Sequence, residues 1–189
     1  MAEEGLLSEV STDILLTENK ELGLSGVLFV ENVVTFCKKE RINIPTLYTL
    51  CQVLQSRFVS MRKNMESTIN LFLLNITKMK EEINVLELLI QKKEAAEETK
   101  NFFNLASLLF VESRIPPQDK CYVKLSPTVI VEMTLEEALK FSQDKLAALT
   151  KNEEKIRQQY NYYRDQETIL TLNMNRCYAY IQSDLNKSK

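Results

Sequence analysis

The chain has 189 residues, with 24 basic and 26 acidic side chains interleaved along it and a formal charge of −2, which leaves no electrostatic footprint for nucleic acid. It contains no histidine, the commonest general base and metal ligand, so neither catalysis nor a cofactor is expected. Its three glycines, Gly5, Gly23 and Gly26, leave everything from Val27 onward without one, which starves Rossmann turns, phosphate loops and many-stranded barrels but costs long helices nothing.

In chain order, residues 1–26 carry no periodic pattern and are expected to be a mobile tail. Met1 to Val10 lacks the basic region and apolar core of a secretory signal. A short lead-in helix is expected over 28–40, and a long helix over 45–100, starting at Pro45, which a first helical turn tolerates. From there apolar residues recur at alternating steps of three and four: Leu47, Cys51, Leu54, Phe58, Met61, Met65, Ile69, Phe72, Ile76, Met79, Ile83, Leu86 and Ile90. That is the spacing of a coiled-coil seam. The doubled step at Met61, Met65 and Ile69 is a stutter, which predicts looser packing over 62–70.

Over 102–133 the period shortens. Phe102 to Leu105, Leu108 to Ile115, Cys121 to Leu125 and Val129 to Met133 read as strands, broken by Pro116-Pro117 and by Ser126-Pro127-Thr128. Short apolar strands of this number do not stand alone with both faces wet, and their open edges invite other chains. A last helix is expected over 134–183, opened by a capping box of Thr134 and Glu137. Its stripe runs Leu135, Leu139, Ser142, Leu146, Leu149, Glu153, Ile156, Tyr160, Tyr163, Glu167, Leu170, Met174, Cys177 and Ile181. The polar members Ser142, Glu153 and Glu167 can fix register. Each stripe spans roughly 65 to 70 Å as helix. Stripes of equal length fold back on each other as an antiparallel hairpin, pairing residues whose numbers sum to about 228. On that pairing Tyr160 to Tyr163 fill the loosened seam near residue 67.

The apolar runs fall far short of the roughly 18 residues of a membrane span, so a soluble chain with no membrane partner is expected. The cysteines Cys37, Cys51, Cys121 and Cys177 stand far apart without a CxxC pair, which fits free thiols in a reducing compartment.

Helix, two small hairpins and helix, over 27–189, resembles the alpha-class prefoldin subunits. The likeness sits in Val27-Leu28-Phe29-Val30-Glu31-Asn32-Val33, in Ile115-Pro116-Pro117-Gln118-Asp119-Lys120, and in Val129-Ile130-Val131-Glu132 followed by Leu135-Glu136-Glu137-Ala138. It extends to Arg164-Asp165-Gln166 and Asn173-Met174-Asn175-Arg176. The family commonly has glycine where this chain has Ser126-Pro127-Thr128, which leaves the form of the second hairpin open. The resemblance implies an α+β, mainly helical fold: a long antiparallel coiled coil with two β-hairpins at its base. It also implies a heterohexamer of two alpha-class and four beta-class subunits. Without nucleotide, that assembly would capture unfolded actin and tubulin between its free helix ends and pass them to the cytosolic chaperonin. The expected location is cytoplasmic, with a nuclear one left open.

On this reading the client-binding candidates are Leu47, Tyr48, Leu50, Cys51, Leu54, Met174, Cys177, Tyr178 and Ile181, with Val53 and Tyr180 also off the seam. The alternative is that these residues close their own seam or dock the segment Val27 to Cys37. The assembly candidates are Leu109, Val111, Tyr122, Val123, Leu125, Val129 and Val131. Glu136-Glu137 and Glu153-Glu154 are explained by capping and solvated faces rather than acid–base chemistry. The rival function is a structural coiled-coil tether or scaffold, which the mid-chain strands disfavour.

Overall fold

The computed structural model describes residues 12–19 and 22–187. They form a 3-10 turn (Thr12–Leu15), β1 (Leu16–Asn19), β2 (Leu24–Val27), α1 (Val33–Glu40), α2 (Ile44–Glu94), β3 (Thr99–Ala106), β4 (Leu109–Ile115), β5 (Lys120–Ser126), β6 (Val129–Thr134) and α3 (Leu135–Lys187). The strands make three separate antiparallel hairpins, β1–β2, β3–β4 and β5–β6. The mainly helical α+β architecture expected from the two stripes is present, with an extra hairpin near the N-terminus. Contacts divide the chain into two units, the described residues up to Ile69 with those from Glu154 onward, and Asn70–Glu153.

In the first unit, Leu47, Leu50, Cys51, Leu54 and Phe58 of α2 are buried with Tyr163, Leu170 and Cys177 of α3. The pairing is antiparallel and close to the expected register. Gln55 Nε2 donates to Thr171 Oγ1 at 3.3 Å, and Arg62 Nε donates to Glu167 Oε1 at 2.7 Å. Met61 and Met65, at the doubled step, are only half-buried, whereas Phe58 before them and Ile69 after them are buried. Half-burial is not confined to the doubled step, since Phe72 and Ile76 beyond it are half-buried too. The rings, however, sit earlier than expected: Tyr163 packs on Phe58 with centroids 5.2 Å apart, and Tyr160 accepts a hydrogen bond from Arg62 at 3.2 Å. Phe58 reaches the ring because both belong to seam positions, while the methionines fill the stutter themselves.

The described part of residues 1–26 is not a pattern-free tail. Gly23 adopts a φ of 63° in the turn between β1 and β2, its N–H donates to Asn19 O at 2.9 Å, and Asn19 Oδ1 accepts from Leu22 N–H. Strands of four residues are too short for periodicity to register. Residues 1–11, 20 and 21 lie outside the described residues. The lead-in helix begins at Val33 instead of residue 28, because Asn32 caps it by accepting from Thr35 N–H at 3.0 Å. Before that cap, residues 28–31 belong to neither helix nor strand.

In the second unit, Met79, Ile83 and Leu86 continue the α2 seam, and Leu86, Val123, Leu135 and Ala138 form a small core. Ser142 Oγ donates to Glu82 Oε1 at 3.1 Å, and Lys93 Nζ meets both Glu136 and Asp119 at 3.0 Å. The capping box forms as expected: Glu137 N–H donates to Thr134 Oγ1 at 3.2 Å, and Thr134 N–H donates to Glu137 Oε2 at 3.0 Å. Glu153 is buried and not on a solvated face. α2 stops at Glu94 instead of residue 100, because Ala96 turns into the left-handed region at φ 54° and Thr99 starts β3. With no glycine at hand, Arg41, Ala96 and Leu108 all take positive φ, which costs each roughly 1–2 kcal/mol.

The N-terminal segment is tied down by α3 (Val27 and Val30 to Gln166 and Asn173), and those bonds are buried. Replacing Asn173 by leucine strands the Val30 N–H and the Leu28 carbonyl, so Asn173→Leu is expected to lower the unfolding free energy by about 2–4 kcal/mol. Urea denaturation measures it; a loss below about 0.5 kcal/mol would mean these bonds are matched by water.

Candidate functional site

Two surfaces carry chemistry, one in each unit. In the second unit, β3–β4 pairs Phe102 with Glu112 and Phe103 with Val111, so consecutive phenylalanines face opposite sides. Phe102 (67 % exposed), Phe103, Leu105, Leu109 and Phe110 (65 %) all meet solvent, and Leu108 at the turn is 93 % exposed with φ at 69°. Phe102 and Phe110 share their face with Lys100, Asn104, Glu112 and Arg114, whereas the opposite face near the turn, with Phe103, Leu105, Leu109 and Val111, is apolar, and a two-stranded ribbon has no core of its own to cover it.

β5–β6 is different, because one face has an internal partner. Val123 pairs with Val131 and Cys121 with Met133; of these, Val123, Cys121 and Met133 belong to the core around Leu86 and Leu135. The other face presents Tyr122 (77 % exposed) and Ile130. Its turn does without the expected glycine: Ser126 Oγ accepts from Val129 N–H at 3.1 Å and from Thr128 N–H at 3.4 Å. Neither Pro127 nor Thr128 needs positive φ, and a register shift between Lys124 and Ser126 absorbs the mismatch in twist.

Of the assembly candidates, Leu109, Tyr122, Leu125 and Val129 are therefore exposed, and Val111 and Val131 half-buried. Val123 is corrected: it is buried in the chain's own core and is unavailable to a partner. Phe102, Phe103, Leu105, Leu108, Phe110 and Ile130 complete the apolar surface. The strand periodicity already held the signal for them, since apolar residues on consecutive positions of a strand serve two faces.

In the first unit, Leu47, Leu50, Cys51, Leu54 and Cys177 are buried and so are corrected as client contacts; they close their own seam. Tyr48, Met174 and Ile181 are half-buried, and Tyr178 (55 %), Val53 and Tyr180 are exposed. The cover over that seam is the strap formed by β1–β2 and residues 28–31. Gln166 Oε1 accepts from Val27 N–H at 2.8 Å; Asn173 accepts from Val30 N–H and donates to Leu28 O, both at 2.9 Å. Arg176 donates to Val30 O and Glu31 O at 2.8 and 2.7 Å, with its guanidinium 4.5 Å from the Phe29 ring centroid. The stripe reading missed Gln166 and Asn173, which are polar, buried and one position off the seam.

Gly26 permits the close approach. A Cβ there would collide with the Tyr162 hydroxyl and stand 2.8 Å from Thr17 Oγ1.

The sequence profile of the family described as "Prefoldin subunit" matches residues 59–180, and the chain belongs to the prefoldin family. That is a family of non-enzymatic chaperone subunits, and membership implies association with other subunits of the same family. The relatives it matches over most of its length are named Prefoldin subunit 3. Those of Mus musculus and Homo sapiens are each 27% identical over 169 residues, covering 88% of this chain and 85% of theirs. The Drosophila melanogaster relative is 24% identical over 166 residues, covering 86% and 84%. A chain of filamentous PFD from Methanocaldococcus jannaschii, solved by cryo-EM, covers 70% of this chain and 95% of its own at 18% identity and a TM-score of 0.44. No helix among the described residues is long and apolar enough to cross a membrane.

All four cysteines are free thiols, and Cys37, Cys51 and Cys177 share the first-unit core. Burial, then the nearness of Cys177 and Cys37, pushes the Cys51 thiol up to about 12. Burial, then Cys37, pushes Cys177 up to about 11. Between the ordinary value of 9.0 and these values the folded chain keeps protons that the unfolded chain loses. The stability is thus full below about pH 9 and is lost as pH rises toward 11 and 12. Thermal midpoints measured across pH 8 to 11 should fall more shallowly in Cys51→Ala than in the native chain; parallel curves would contradict the assignment.

Proposed function

We propose that this chain is an alpha-class subunit of a heterohexameric, ATP-independent prefoldin co-chaperone, built from two alpha-class and four beta-class subunits. It works in the cytoplasm, where the assembly holds unfolded actin and tubulin and delivers them to the cytosolic chaperonin. One observation carries the assembly half of this reading: the β3–β4 ribbon exposes Phe102 and Phe110 on one face and Phe103, Leu105 and Leu109 on the other, and among the described residues nothing covers them. Burying such a ribbon against other strands removes apolar area worth roughly 25 cal/mol per Å2, and its open edges supply the backbone bonds for strand addition. A coiled-coil tether has no use for this surface. Family membership supports the chaperone half; the identity of the clients comes from likeness to alpha-class prefoldins.

Mixing the purified chain with beta-class prefoldin subunits should yield a six-chain particle by size exclusion with light scattering. Phe102→Lys with Phe110→Lys should abolish that particle while leaving helix content by circular dichroism unchanged, since both side chains face solvent. Val123→Lys should instead unfold the second unit, because Val123 is core. A chain that remains alone or self-associates under these conditions would favour the tether, and survival of the particle in the double lysine variant would remove the hairpin from the interface.

A further inference from the structure

The outer face of α2 in the second unit carries a second stripe that the pairing with α3 does not use. Leu71, Leu74, Val85 and Leu88 are all exposed, by 62, 51, 55 and 47 %. With the exposed Lys78 and Glu81 between them they stand at steps of three, four, three, four and three, the same alternation as the seam. Each lies two positions past a seam residue, Leu74 past Phe72 through to Leu88 past Leu86, and so about 200° round the helix from it. A stripe in phase with the seam stays on the outer side from end to end, which surface leucines scattered singly do not. The matching positions of α3 in this unit include Glu137, Asp144 and Lys151, an ordinary solvated face.

The order of the stripe identifies what fits it. Laid antiparallel on a second copy, Leu71 meets Leu88, Leu74 meets Val85 and Lys78 meets Glu81, each contact occurring twice about a two-fold axis. A parallel arrangement would instead set Lys78 against Lys78 and Glu81 against Glu81. Among the described residues neither of the two has an ion-pair partner in its own chain. On one flank Asn70, Thr77, Asn84 and Gln91 are exposed and uncharged, so nothing there repels a second helix. On the other flank Glu82 accepts from Ser142 and comes opposite Asn75 of the second copy. We propose that this stripe is a contact between two copies of the chain, antiparallel and isologous through residues 71–88 of α2. It uses none of the β3–β4 residues and does not rest on the assembly reading. The two Glu94 ends of α2 then lie roughly 40 Å apart along the axis, so each ribbon stays open to other subunits. The contact is roughly 26 Å long and one helix wide, below the roughly 1,200 Å2 of stable interfaces. The pair therefore forms and parts with concentration.

Sedimentation velocity of the full chain carrying Phe102→Lys and Phe110→Lys, which silence the ribbon, reads the pair without interference over about 5 to 200 µM. A monomer–dimer equilibrium is expected in that range. Lys78→Glu or Glu81→Lys alone should weaken it about tenfold, because two symmetric attractions become two repulsions, and the double reversal should restore it. Both side chains face solvent, so helix content by circular dichroism should not change in any of these chains. A chain that stays monomeric throughout, a dimer indifferent to the single reversals, or one that the double reversal fails to restore would overturn the proposal. Leu74→Glu with Val85→Glu, in a chain with its native ribbon, should leave the six-chain particle with beta-class subunits intact. Loss of the particle in that variant alone would give this face to a different subunit and overturn the proposal as well. Loss of the particle in the native chain, with the dimer and its charge reversals as expected, would overturn the proposed function and leave this contact standing.

Discussion

Along α2 and α3, apolar side chains at alternating steps of three and four meet each other and leave the intervening positions to solvent, and most other features of the molecule follow from that arrangement. Ridges spaced in this way fit only a partner of the same spacing, so each unit pairs its stretch of α2 antiparallel with its stretch of α3. Polar residues on the stripe then fix the register. Arg62 with Glu167 and Tyr160 does so in the first unit, and Ser142 with Glu82 in the second. Each of these pairs is satisfied, and among the described residues no buried side-chain nitrogen or oxygen lacks a partner. A slip along the seam would part these pairs and leave the buried Ser142 hydroxyl without its acceptor, a penalty that apolar contacts alone do not impose.

The seam has more apolar width at its first-unit section than two helices cover. Leu50 of α2 lies one position off the stripe yet is buried, because Leu15, Val27, Val30, Val33 and Cys37 pack against the same cluster. The strap and α1 thus act as a third layer. Glycine is placed accordingly: of the chain's three, Gly23 makes the strap's turn and Gly26 allows its closest approach to α3. Elsewhere the chain tolerates positive φ on Arg41, Ala96 and Leu108. Leu108 is the most exposed of these, at the turn between β3 and β4.

What the sequence disclosed follows from length of pattern. Every α2 position from Leu47 to Ile90 in the stripe is buried or half-buried, and so is every α3 position from Leu135 to Ile181, because a repeat sustained over many turns has one physical solution. The capping box at Thr134 was equally legible, since its two bonds are local. The strap was not: strands of four residues carry no periodicity, and its partners Gln166 and Asn173 lie 139 and 143 residues away. The resemblance segments around Val27 to Val33 and Gln166 to Arg176 prove to be the two sides of this one contact. For the same reason Leu50, which lies off the stripe and was read as a client contact, turned out to be covered. Val123 was misassigned because alternation along a strand distinguishes two faces without saying which one meets the helices.

The antiparallel seam can be tested without reference to any partner. Placing cysteines at Gln55 and Thr171, whose side chains touch, in a chain whose half-buried Cys121 is replaced by serine, and treating it at neutral pH with a short bis-maleimide that alkylates both thiols reads the pairing directly, since the native Cys37, Cys51 and Cys177 are buried. An intramolecular link between the peptides containing residues 55 and 171 is the expected product. Links formed only between separate chains, or none at all, would contradict the pairing of α2 with α3 on which this account stands.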